Sequence, residues 1–504
     1  MAMAFFNRKK PLRILFVATE SAPFAKVGGL ASVMRSLPDA LVHLGHDARV
    51  MIPRYLSIDD KLFHLQMDFK GLSVPTGNEE GPEHIVCNVK RYNPENTGAI
   101  TYFLENQEYY EQRANVYGYA DDPTRWSLLC RGALEYVRMK GDWTPDVIVC
   151  SDWQTGLIPN LLKTVYVNDP VLSKVASVFS IHNLYFQAMF DHRFISEMDF
   201  DDGHSPVPGL SNPRVSKVNW MRRGIMFADA INTVSPTYAK EIMTKEHGEL
   251  LDELIRERKA VVSGILNGVD YSMWNPEEDS FIAANYSQQK IENRAKNKAA
   301  LQERFGLPVK ADAFLVAIVS RLTKQKGFDL LMPVLPNLLN ELPMQLIVVG
   351  EGESEIMGFF HGLETQYPKQ VAAHLKYDAV LPHNVFAGAD VLVVPSRFEP
   401  CGLTPMEAMR MGAIPIVRKT GGLADQVEDY RPSDHTGTGF LFEKFDSTSF
   451  MISFIRAFEN FRDKEKWRAL QKRAMTRDFS WERSAKKYVE LFIRALRSKD
   501  VTQR

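Results

Sequence analysis

The chain has 504 residues, of which 45% are hydrophobic and 24% are charged, and its formal net charge at pH 7 is −1. At roughly 100–200 residues per domain, this length predicts two to four domains. Because the charge is balanced, nothing global favours binding to nucleic acid or to an anionic membrane, and an anionic ligand would have to meet local cations.

The four cysteines are far apart and include no C-x-x-C pair, which predicts buried thiols rather than a disulfide framework or a zinc site. At Met1–Lys10 the apolar residues precede the basic ones, the reverse of a secretory signal. No apolar run approaches the length of a membrane span. We therefore expect a soluble, cytoplasmic protein that binds neither a membrane nor nucleic acid.

In the first half of the chain, short apolar runs alternate with helical patterns. The predicted helices are Leu30–Leu44, Trp126–Met139 and Arg214–Phe227. The predicted strands are Leu12–Ala18, Ala48–Ile52, Ile85–Val89, Ile100–Leu104, Val147–Cys150, Val175–Ser180 and Ala230–Val234. Residues 67–98 are otherwise weakly patterned, and we interpret them as an irregular insertion. Alternation of this kind is typical of α/β proteins with a largely parallel, doubly wound sheet.

A second series of strands follows a polar, charge-rich stretch at Glu277–Arg304. Its predicted strands are Phe314–Val319, Gln345–Val349, Val391–Val394 and Ile414–Val417. Because a linker is more polar than a core element, we place a domain boundary just before Gly264. The predicted organisation is a Rossmann-like domain at 1–263, a second at 264–478, and a C-terminal helix within 479–504 that crosses back to the first. The two domains would face each other across a central cleft, with ligands at the carboxyl ends of their strands.

The segment Asp390–Gly412 is the most informative motif. The apolar run Val391–Val394 predicts a buried strand, the loop after it carries Glu399 and a glycine, and a helical pattern begins at Thr404. A strand, a short loop and a helix N-terminus place polar groups where a parallel sheet binds its ligands. By itself the pattern indicates a nucleotide-type site, and an ordinary βα unit with a solvated Glu399 is the alternative.

Two further loops have the composition of phosphate sites. Arg321 and Lys326 follow a predicted strand, where an arginine fork and a lysine charge could meet one anion. Two surface cations are the alternative. Lys26, Gly28 and Gly29 form a loop without P-loop spacing, in which backbone N–H groups could approach a pyrophosphate or a sugar closely. A plain tight turn is the alternative there.

Polar residues also close two other predicted strands, at Asp152-Trp153 and His182-Asn183. A histidine at a strand end can hydrogen-bond a sugar hydroxyl, and a carboxylate beside an aromatic ring is common at carbohydrate contacts. The alternatives are a structural histidine, and an N-cap followed by a core tryptophan. The D-x-D spacing at 199–201 has the form of a metal site, but no strand precedes it and we interpret it as a solvated turn.

Taken in order, these motifs resemble those of the bacterial glycogen synthase and plant starch synthase family, retaining glucosyltransferases with the GT-B fold. The resemblance runs from Leu12 to about Leu496. The segments that carry it are Lys26–Leu30, Tyr117–Asp122 with Arg125, Asp152–Gln154, His182–Asn183, Val234–Tyr238, Gly264–Asp270, Ser320–Gly327, Ser396–Thr404 and Lys419–Asp425. Each segment alone is a weak signal, and their shared order makes the resemblance specific.

This resemblance implies transfer of glucose from ADP-glucose to the non-reducing end of an α-1,4-glucan, with retention and without a metal or other cofactor. The implied catalytic residues are Asp152, His182, Arg321, Lys326 and Glu399. The implied donor-binding residues are Lys26, Gly28, Gly29, Asn267, Tyr377, Cys401, Gly402, Leu403 and Thr404. Trp153 and Asn183 are implied to contact the acceptor glucan. In this scheme the cations neutralise the leaving nucleoside diphosphate, and Tyr377 stacks on the base.

Four positions depart from the family pattern: Ser32, Ser151, Asn384 and Glu407. Ser32 replaces a common aspartate of the glycine loop, and Glu407 completes a paired-glutamate spacing found in other retaining GT-B families. These departures leave the choice between ADP-glucose and UDP-glucose open. A transferase that uses UDP-glucose or a short acceptor, and a non-catalytic glucan-binding relative, are the alternatives.

Overall fold

The structure, a computed structural model, describes residues 10–94, 98–187 and 201–502. These residues form two compact units. Unit 1 takes in the described parts of 1–234, 239–268 and 481–504, and unit 2 takes in 235–238 and 269–480. The chain therefore leaves unit 1 after Gly268 and returns to it at Trp481, whereas the sequence pattern placed these boundaries after residues 263 and 478.

Unit 1 contains a mixed sheet that is parallel at its centre. Its described strands are β1 (Arg13–Val17), β2 (Asp47–Pro53), β3 (Gln66–Pro75), β4 (His84–Tyr92), β5 (Ile100–Glu105), β6 (Val147–Ser151), β7 (Ala176–Ile181), β8 (Ala230–Thr233) and β9 (Val262–Gly264). They lie in the order β3-β4-β5-β2-β1-β6-β7-β8-β9, and every neighbouring pair from β5 to β9 is parallel. β6 and β7 are buried along their whole length, which indicates that both faces of the central sheet are covered.

Unit 2 contains a parallel sheet. Its described strands are β10 (Phe314–Val319), β11 (Met344–Val349), β12 (Val371–His374), β13 (Val391–Val394), β14 (Ile414–Arg418) and β15 (Phe440–Phe442). They lie in the order β12-β11-β10-β13-β14-β15 with every pair parallel. The predicted strands at β10, β11, β13 and β14 are confirmed. β12 and β15 were missed because they are only four and three residues long, too short to give a periodic signal.

Helices connect the strands in both units. They are α1 (Gly29–His43), α2 (Asp122–Lys140), α3 (Leu157–Lys163), α4 (Trp220–Phe227), α5 (Pro236–Glu241), α6 (Asp252–Glu257), α7 (Arg294–Arg304), α8 (Leu335–Glu341), α9 (Ser354–Gln366), α10 (Leu381–Gly388), α11 (Leu403–Arg410), α12 (Gly421–Gln426), α13 (Ser447–Arg462), α14 (Lys464–Met475) and α15 (Trp481–Thr502). Within unit 1, α15 packs against α1, β7 and β8, and the ring centroids of Phe492 and Phe16 lie 6.4 Å apart. Across the described ranges, no helix is long and apolar enough to cross a bilayer.

Two predictions about unit 1 were wrong. The described residues between 67 and 94 are not an irregular insertion, because β3 and β4 pair antiparallel there and extend the sheet through β5. β3 is mostly exposed and its pairing shifts register, so the alternation that marks a strand is blurred. The helix predicted at Arg214–Phe227 is two helical segments, a 3-10 helix at Pro213–Lys217 and α4 from Trp220. The Asn219 side chain caps α4 by accepting a hydrogen bond from the Arg222 N–H at 2.9 Å.

Candidate active site

Three neighbouring strands of unit 1 end at the same edge, and an ionisable side chain follows each of them. β1 pairs with β6, and β6 with β7, all in parallel. Glu20 lies just beyond β1, Asp152 directly after β6, and His182 directly after β7. The carboxyl ends of parallel strands share one edge, so the fold brings these three groups together. Asp152 and His182 were predicted from the sequence, and Glu20 was not.

Asp152 is held in an uncommon backbone conformation. Its φ is +57°, in the left-handed region, and its N–H donates to the Ser180 carbonyl at 2.9 Å. Its Oδ1 accepts hydrogen bonds from the N–H groups of His182 at 2.7 Å and Asn183 at 3.3 Å. Burial raises the pKa of Asp152 to about 7, although these hydrogen bonds act in the opposite direction. The carboxyl group can therefore exchange a proton near neutral pH while it fixes the turn that carries His182.

The His182 ring is the second group with a strongly shifted pKa. Burial lowers the pKa of His182 to about 4, so the imidazole is neutral near pH 7. Its Nε2 lies 3.2 Å from the Ser180 hydroxyl oxygen. Asn183 is partly exposed beside it, and its Oδ1 accepts the Tyr185 N–H at 3.1 Å. A neutral ring of this kind can hydrogen-bond a sugar hydroxyl without placing a charge on it.

Glu20 is hydrogen-bonded to the glycine loop that precedes α1. Its Oε2 accepts hydrogen bonds from the N–H groups of Val27 at 2.6 Å and Gly28 at 2.9 Å. The Tyr117 hydroxyl donates to its Oε1 at 3.3 Å. Only 3% of Glu20 is exposed, so these hydrogen bonds satisfy its carboxylate in place of water. Glu20 therefore fixes the path of the loop toward the helix.

The loop itself is open to solvent. Lys26, Gly28 and Gly29 are all exposed, and no atom lies within 4 Å of a Cβ built on Gly29. Gly28 is the N-cap of α1. Its own N–H is bonded to Glu20, and it has no side chain that could bond the N–H groups of the first turn. The first turn of α1 is therefore available to an anion, with Lys26 close by in the chain.

Trp153 and Asn267 are both buried, with opposite consequences for their implied roles. Trp153 is 5% exposed, and its ring lies edge-on to Trp220 with centroids 6.0 Å apart. Because the Trp153 ring packs in the core, a structural role is favoured over direct stacking on an acceptor. Asn267 is 6% exposed, and its Oδ1 accepts no hydrogen bond from any described residue. An unsatisfied buried acceptor costs about 1–3 kcal/mol, and a hydrogen bond from a hydroxyl group of the donor sugar would remove that cost.

The D-x-D motif is not a solvated turn at its second aspartate. Asp199 lies outside the described residues. The Asp201 carboxylate is 2.7 Å from the Arg223 guanidinium, and these side chains are 6% and 1% exposed. Since Nε of Arg223 also donates to the other carboxylate oxygen at 3.0 Å, both oxygens are occupied and the role of Asp201 is structural. Among the described residues, no three His, Cys, Asp or Glu side chains are grouped so as to hold a metal ion.

In unit 2 the same edge geometry recurs at β10 and β13, which are neighbours in the parallel sheet. β10 leads into Ser320–Gly327, and β13 leads into Ser396–Thr404. Lys326 Nζ lies 2.6 Å from Glu399 Oε2, and the Ser396 hydroxyl donates to the same oxygen at 2.9 Å. The Lys326 and Glu399 side chains are 16% and 8% exposed. Glu399 is therefore a buried, paired carboxylate and not the solvated residue of the alternative interpretation.

Arg321 and Tyr377 offer exposed groups at this edge. Arg321 follows β10, and its guanidinium makes no ion pair with a described residue, so it can meet an anion. Tyr377 follows β12 with 67% of its surface exposed. An exposed aromatic ring is suited to stacking on a nucleotide base.

The loop after β13 turns at Gly402, the N-cap of α11. Its φ is +79°, which favours glycine, and a Cβ there would lie 2.9 Å from Glu399 Cγ. Cys401 is buried, whereas Leu403 and Thr404 are half-buried in the first turn of α11. No described side chain caps this turn, so its N–H groups form an anion site beside Glu399.

Two family models match most of the chain. Residues 13–257 match the model described as the starch synthase catalytic domain. Residues 301–474 match the model described as glycosyl transferases group 1. The first match contains the strand ends of unit 1 described above, and the second contains those of unit 2.

Relatives of known function cover nearly the whole chain. The glycogen synthase of Clostridium perfringens is 41% identical over 483 residues, covering 96% of this chain and 98% of its own length. The glycogen synthase of Thermotoga petrophila is 40% identical over 490 residues, covering 96% and 99%. The chain is thus similar to these proteins over both units.

Solved structures extend the similarity to the fold. The catalytic domain of starch synthase IV from Arabidopsis thaliana, bound to ADP and acarbose, matches with a TM-score of 0.83 at 32% identity, over 97% of this chain and 100% of that one. A sucrose-phosphate synthase from Thermosynechococcus elongatus matches at a TM-score of 0.58 and 16% identity, over 96% and 98%, and shows the fold alone. The predicted GT-B fold is confirmed by the starch synthase match and by the two α/β units.

Proposed function

Because this chain is a glycosyltransferase of the bacterial glycogen synthase and plant starch synthase family, we propose that it transfers glucose from ADP-glucose to the non-reducing end of an α-1,4-glucan, with retention. The observation that carries the proposal is the Lys326–Glu399 pair beside the uncapped N-terminus of α11. Fixed donors and cations of this kind stabilise the charge that develops on a leaving diphosphate. The starch synthase of similar structure was bound to ADP, which favours the adenine nucleotide over UDP-glucose.

In unit 2, Arg321, Lys326 and the first N–H groups of α11 take up the negative charge of the nucleoside diphosphate as its bond to glucose breaks. Glu399 holds the Lys326 ammonium at 2.6 Å, so the cation is in place before the reaction begins. The other Glu399 oxygen is suited to accept a hydrogen bond from a glucose hydroxyl. Tyr377 stacks on the base.

In unit 1, Asp152 and His182 act on the sugar. The neutral imidazole of His182 hydrogen-bonds a glucose hydroxyl, and Asp152 fixes that ring through the backbone N–H of the same residue. We expect a loose, oxocarbenium-like transition state in which the acceptor attacks from the face that the diphosphate leaves. The first turn of α1, with Lys26, Gly28 and Gly29, meets the donor phosphate.

We also propose that the enzyme needs no cofactor, has no nucleic acid or membrane partner, and acts in the cytoplasm. We expect no metal requirement, because Arg321, Lys326 and the α11 N-terminus supply the positive charge that a metal would bring. The net charge of −1 gives no support for a nucleic acid or membrane partner. Four buried thiols without a disulfide fit a reducing cytoplasm.

The test is a transfer assay with purified protein, glycogen and radiolabelled ADP-glucose or UDP-glucose, run after exhaustive EDTA treatment. We expect label from ADP-glucose in the glucan, released again by an exo-acting α-1,4-glucan hydrolase. Faster transfer from UDP-glucose, or to a short oligosaccharide only, would change the donor or the acceptor. Binding of glucan without any transfer would identify a non-catalytic relative, and activity restored only by manganese would refute the metal-free reaction.

A further inference from the structure

We propose that Gln426 is a positioning residue of the diphosphate site in unit 2, because its side-chain amide sets the direction of the Gly402 and Leu403 N–H groups. Gln426 is the last residue of α12 and lies outside the set of predicted site residues. It contacts the loop and is fully buried, so its side chain is not exposed to a ligand. The inference rests on the proposed function in one respect, that these two N–H groups bind the donor's diphosphate.

The Gln426 amide spans two consecutive carbonyl groups of the loop. Its Nε2 donates to the Cys401 carbonyl at 2.7 Å and to the Gly402 carbonyl at 2.9 Å. The residue is 0% exposed, and its Oε1 is buried without a hydrogen-bond partner among the described residues. One half of the amide is thus left unsatisfied while the other half makes both bonds to the loop, which points to a role in holding the loop.

Peptide geometry converts these bonds into an orientation of the opposite groups. In a planar trans peptide the C=O and the following N–H point in opposite directions. The Cys401 carbonyl is paired with the Gly402 N–H in this way, and the Gly402 carbonyl with the Leu403 N–H. With both carbonyls turned toward Gln426, both N–H groups are turned to the other side of the loop.

The start of α12 braces the same loop. The Gly422 N–H donates to the Glu399 carbonyl at 3.0 Å. A Cβ on Gly422 would lie 2.1 Å from the Cys401 carbonyl oxygen, so only glycine permits this approach. Three carbonyls of the loop, at Glu399, Cys401 and Gly402, therefore contact α12.

The loop needs this external support because it turns at a glycine. Gly402 has a φ of +79° and no side chain that would restrict rotation of its two peptides. Without the amide of Gln426, rotation of either peptide would carry an N–H away from the diphosphate. Removing the amide should therefore weaken diphosphate binding without removing any group that contacts the ligand.

The decisive variant is Gln426→Glu, which keeps the shape of the side chain but replaces the N–H donor with an acceptor. We expect the Kd for ADP, measured by calorimetry at pH 8, to rise about 10–100-fold, as for the loss of one or two hydrogen bonds to a charged ligand. The KM for ADP-glucose should rise with it. Affinity should recover in part as the pH falls, because burial raises the pKa of a carboxyl group and the protonated form can donate one hydrogen bond.

Two further variants control for packing. Gln426→Met keeps the volume and removes the donor, so it should weaken ADP binding at every pH without the recovery. Gln471→Glu makes the same chemical change at a buried glutamine whose Nε2 donates to the Gly412 carbonyl at 2.9 Å, beyond the far end of α11. It should leave the Kd for ADP unchanged.

The outcomes separate this inference from the proposed function. If both Gln426 variants bind ADP as tightly as the wild type, the positioning role is refuted even where glucose transfer is observed. If the wild type binds ADP without transferring glucose and Gln426→Glu still weakens binding, the positioning role holds and the proposed function fails. A wild type that binds neither ADP nor UDP would refute both. If Gln426→Glu does not fold, Gln426→Met against Gln471→Glu gives the same comparison.

Discussion

The strand ends of the two units carry opposite kinds of chemistry. In unit 1, burial drives the two candidate groups toward their neutral forms, raising the pKa of Asp152 to about 7 and lowering that of His182 to about 4. In unit 2, the Lys326 ammonium and the Glu399 carboxylate lie 2.6 Å apart and satisfy each other as an ion pair. In the proposed reaction, the same strand-loop-helix geometry would serve hydrogen bonding to a sugar at Asp152 and His182 and charge stabilisation at Lys326 and Glu399.

The difference also explains how each site is held. Asp152 and His182 are joined through backbone N–H groups, so the turn itself is the scaffold. Lys326 and Glu399 are joined side chain to side chain, across loops that follow two different strands. A substitution at Asp152 should therefore displace the His182 ring, whereas a substitution at Lys326 or Glu399 should change the local charge.

The largest effect is expected for Lys326→Met. Removing a cation aimed at the leaving group should lower kcat by about 10²–10³. Because Glu399 is only 8% exposed, it would be left without its cation, and the melting temperature should fall as well.

The double variant Lys326→Met, Glu399→Gln separates the two effects. It should regain thermal stability, since no buried charge is left unpaired, without regaining turnover. Near wild-type kcat in the single variant would mean that the charge chemistry does not reside in unit 2.

A smaller effect is expected for Asp152→Asn. The variant disturbs the carboxylate that fixes His182, and a misplacement near 1 Å can lower turnover by about 10². Whereas Lys326→Met should destabilise the protein, Asp152→Asn should become more stable relative to the wild type as the pH rises. The pKa of Asp152 in the folded state is about 7, above its usual 3.8, so its contribution to stability is present at low pH and is lost as pH rises from about 4 through 7.

Melting curves of Asp152→Asn and wild type at pH 5 and pH 8 test this sign. The melting temperature of the variant should rise relative to that of the wild type between pH 5 and pH 8. A constant difference would show that the carboxylate does not titrate as its burial indicates.

The smallest effect is expected for Tyr377→Ala. Loss of one stacked base should raise the KM for ADP-glucose about tenfold with kcat little changed. Since the ring is 67% exposed, the melting temperature should not move. An unchanged KM would remove Tyr377 from the donor site.

Much of the fold could be predicted because buried parallel strands have a strong pattern. The runs at β1, β6, β10 and β13 are almost wholly apolar and end at polar residues, which also located the strand-end loops. β3 is half exposed and has no such pattern, whereas the run at Ile85–Val89 did predict the strand β4. The sequence could not show that these two strands pair with each other and with β5.

Candidate site residues could be predicted from the sequence only where they lie in strand-end loops. Glu20 accepts hydrogen bonds from the N–H groups of Val27 and Gly28, and Gln426 donates to carbonyls that are distant in sequence. Contacts between a side chain and a remote backbone group leave no periodic or motif signal. The burial of Trp153 against Trp220 is likewise a tertiary contact that composition cannot reveal.

The most direct test of the division between the units is calorimetric binding of ADP, which lacks the glucose, to Lys326→Met and Asp152→Asn. We expect a Kd raised at least about tenfold in Lys326→Met and unchanged in Asp152→Asn, although turnover of ADP-glucose falls in both. Equal weakening of ADP binding by the two variants would contradict this expectation, because the Asp152 turn would then contribute to diphosphate binding as Lys326 does.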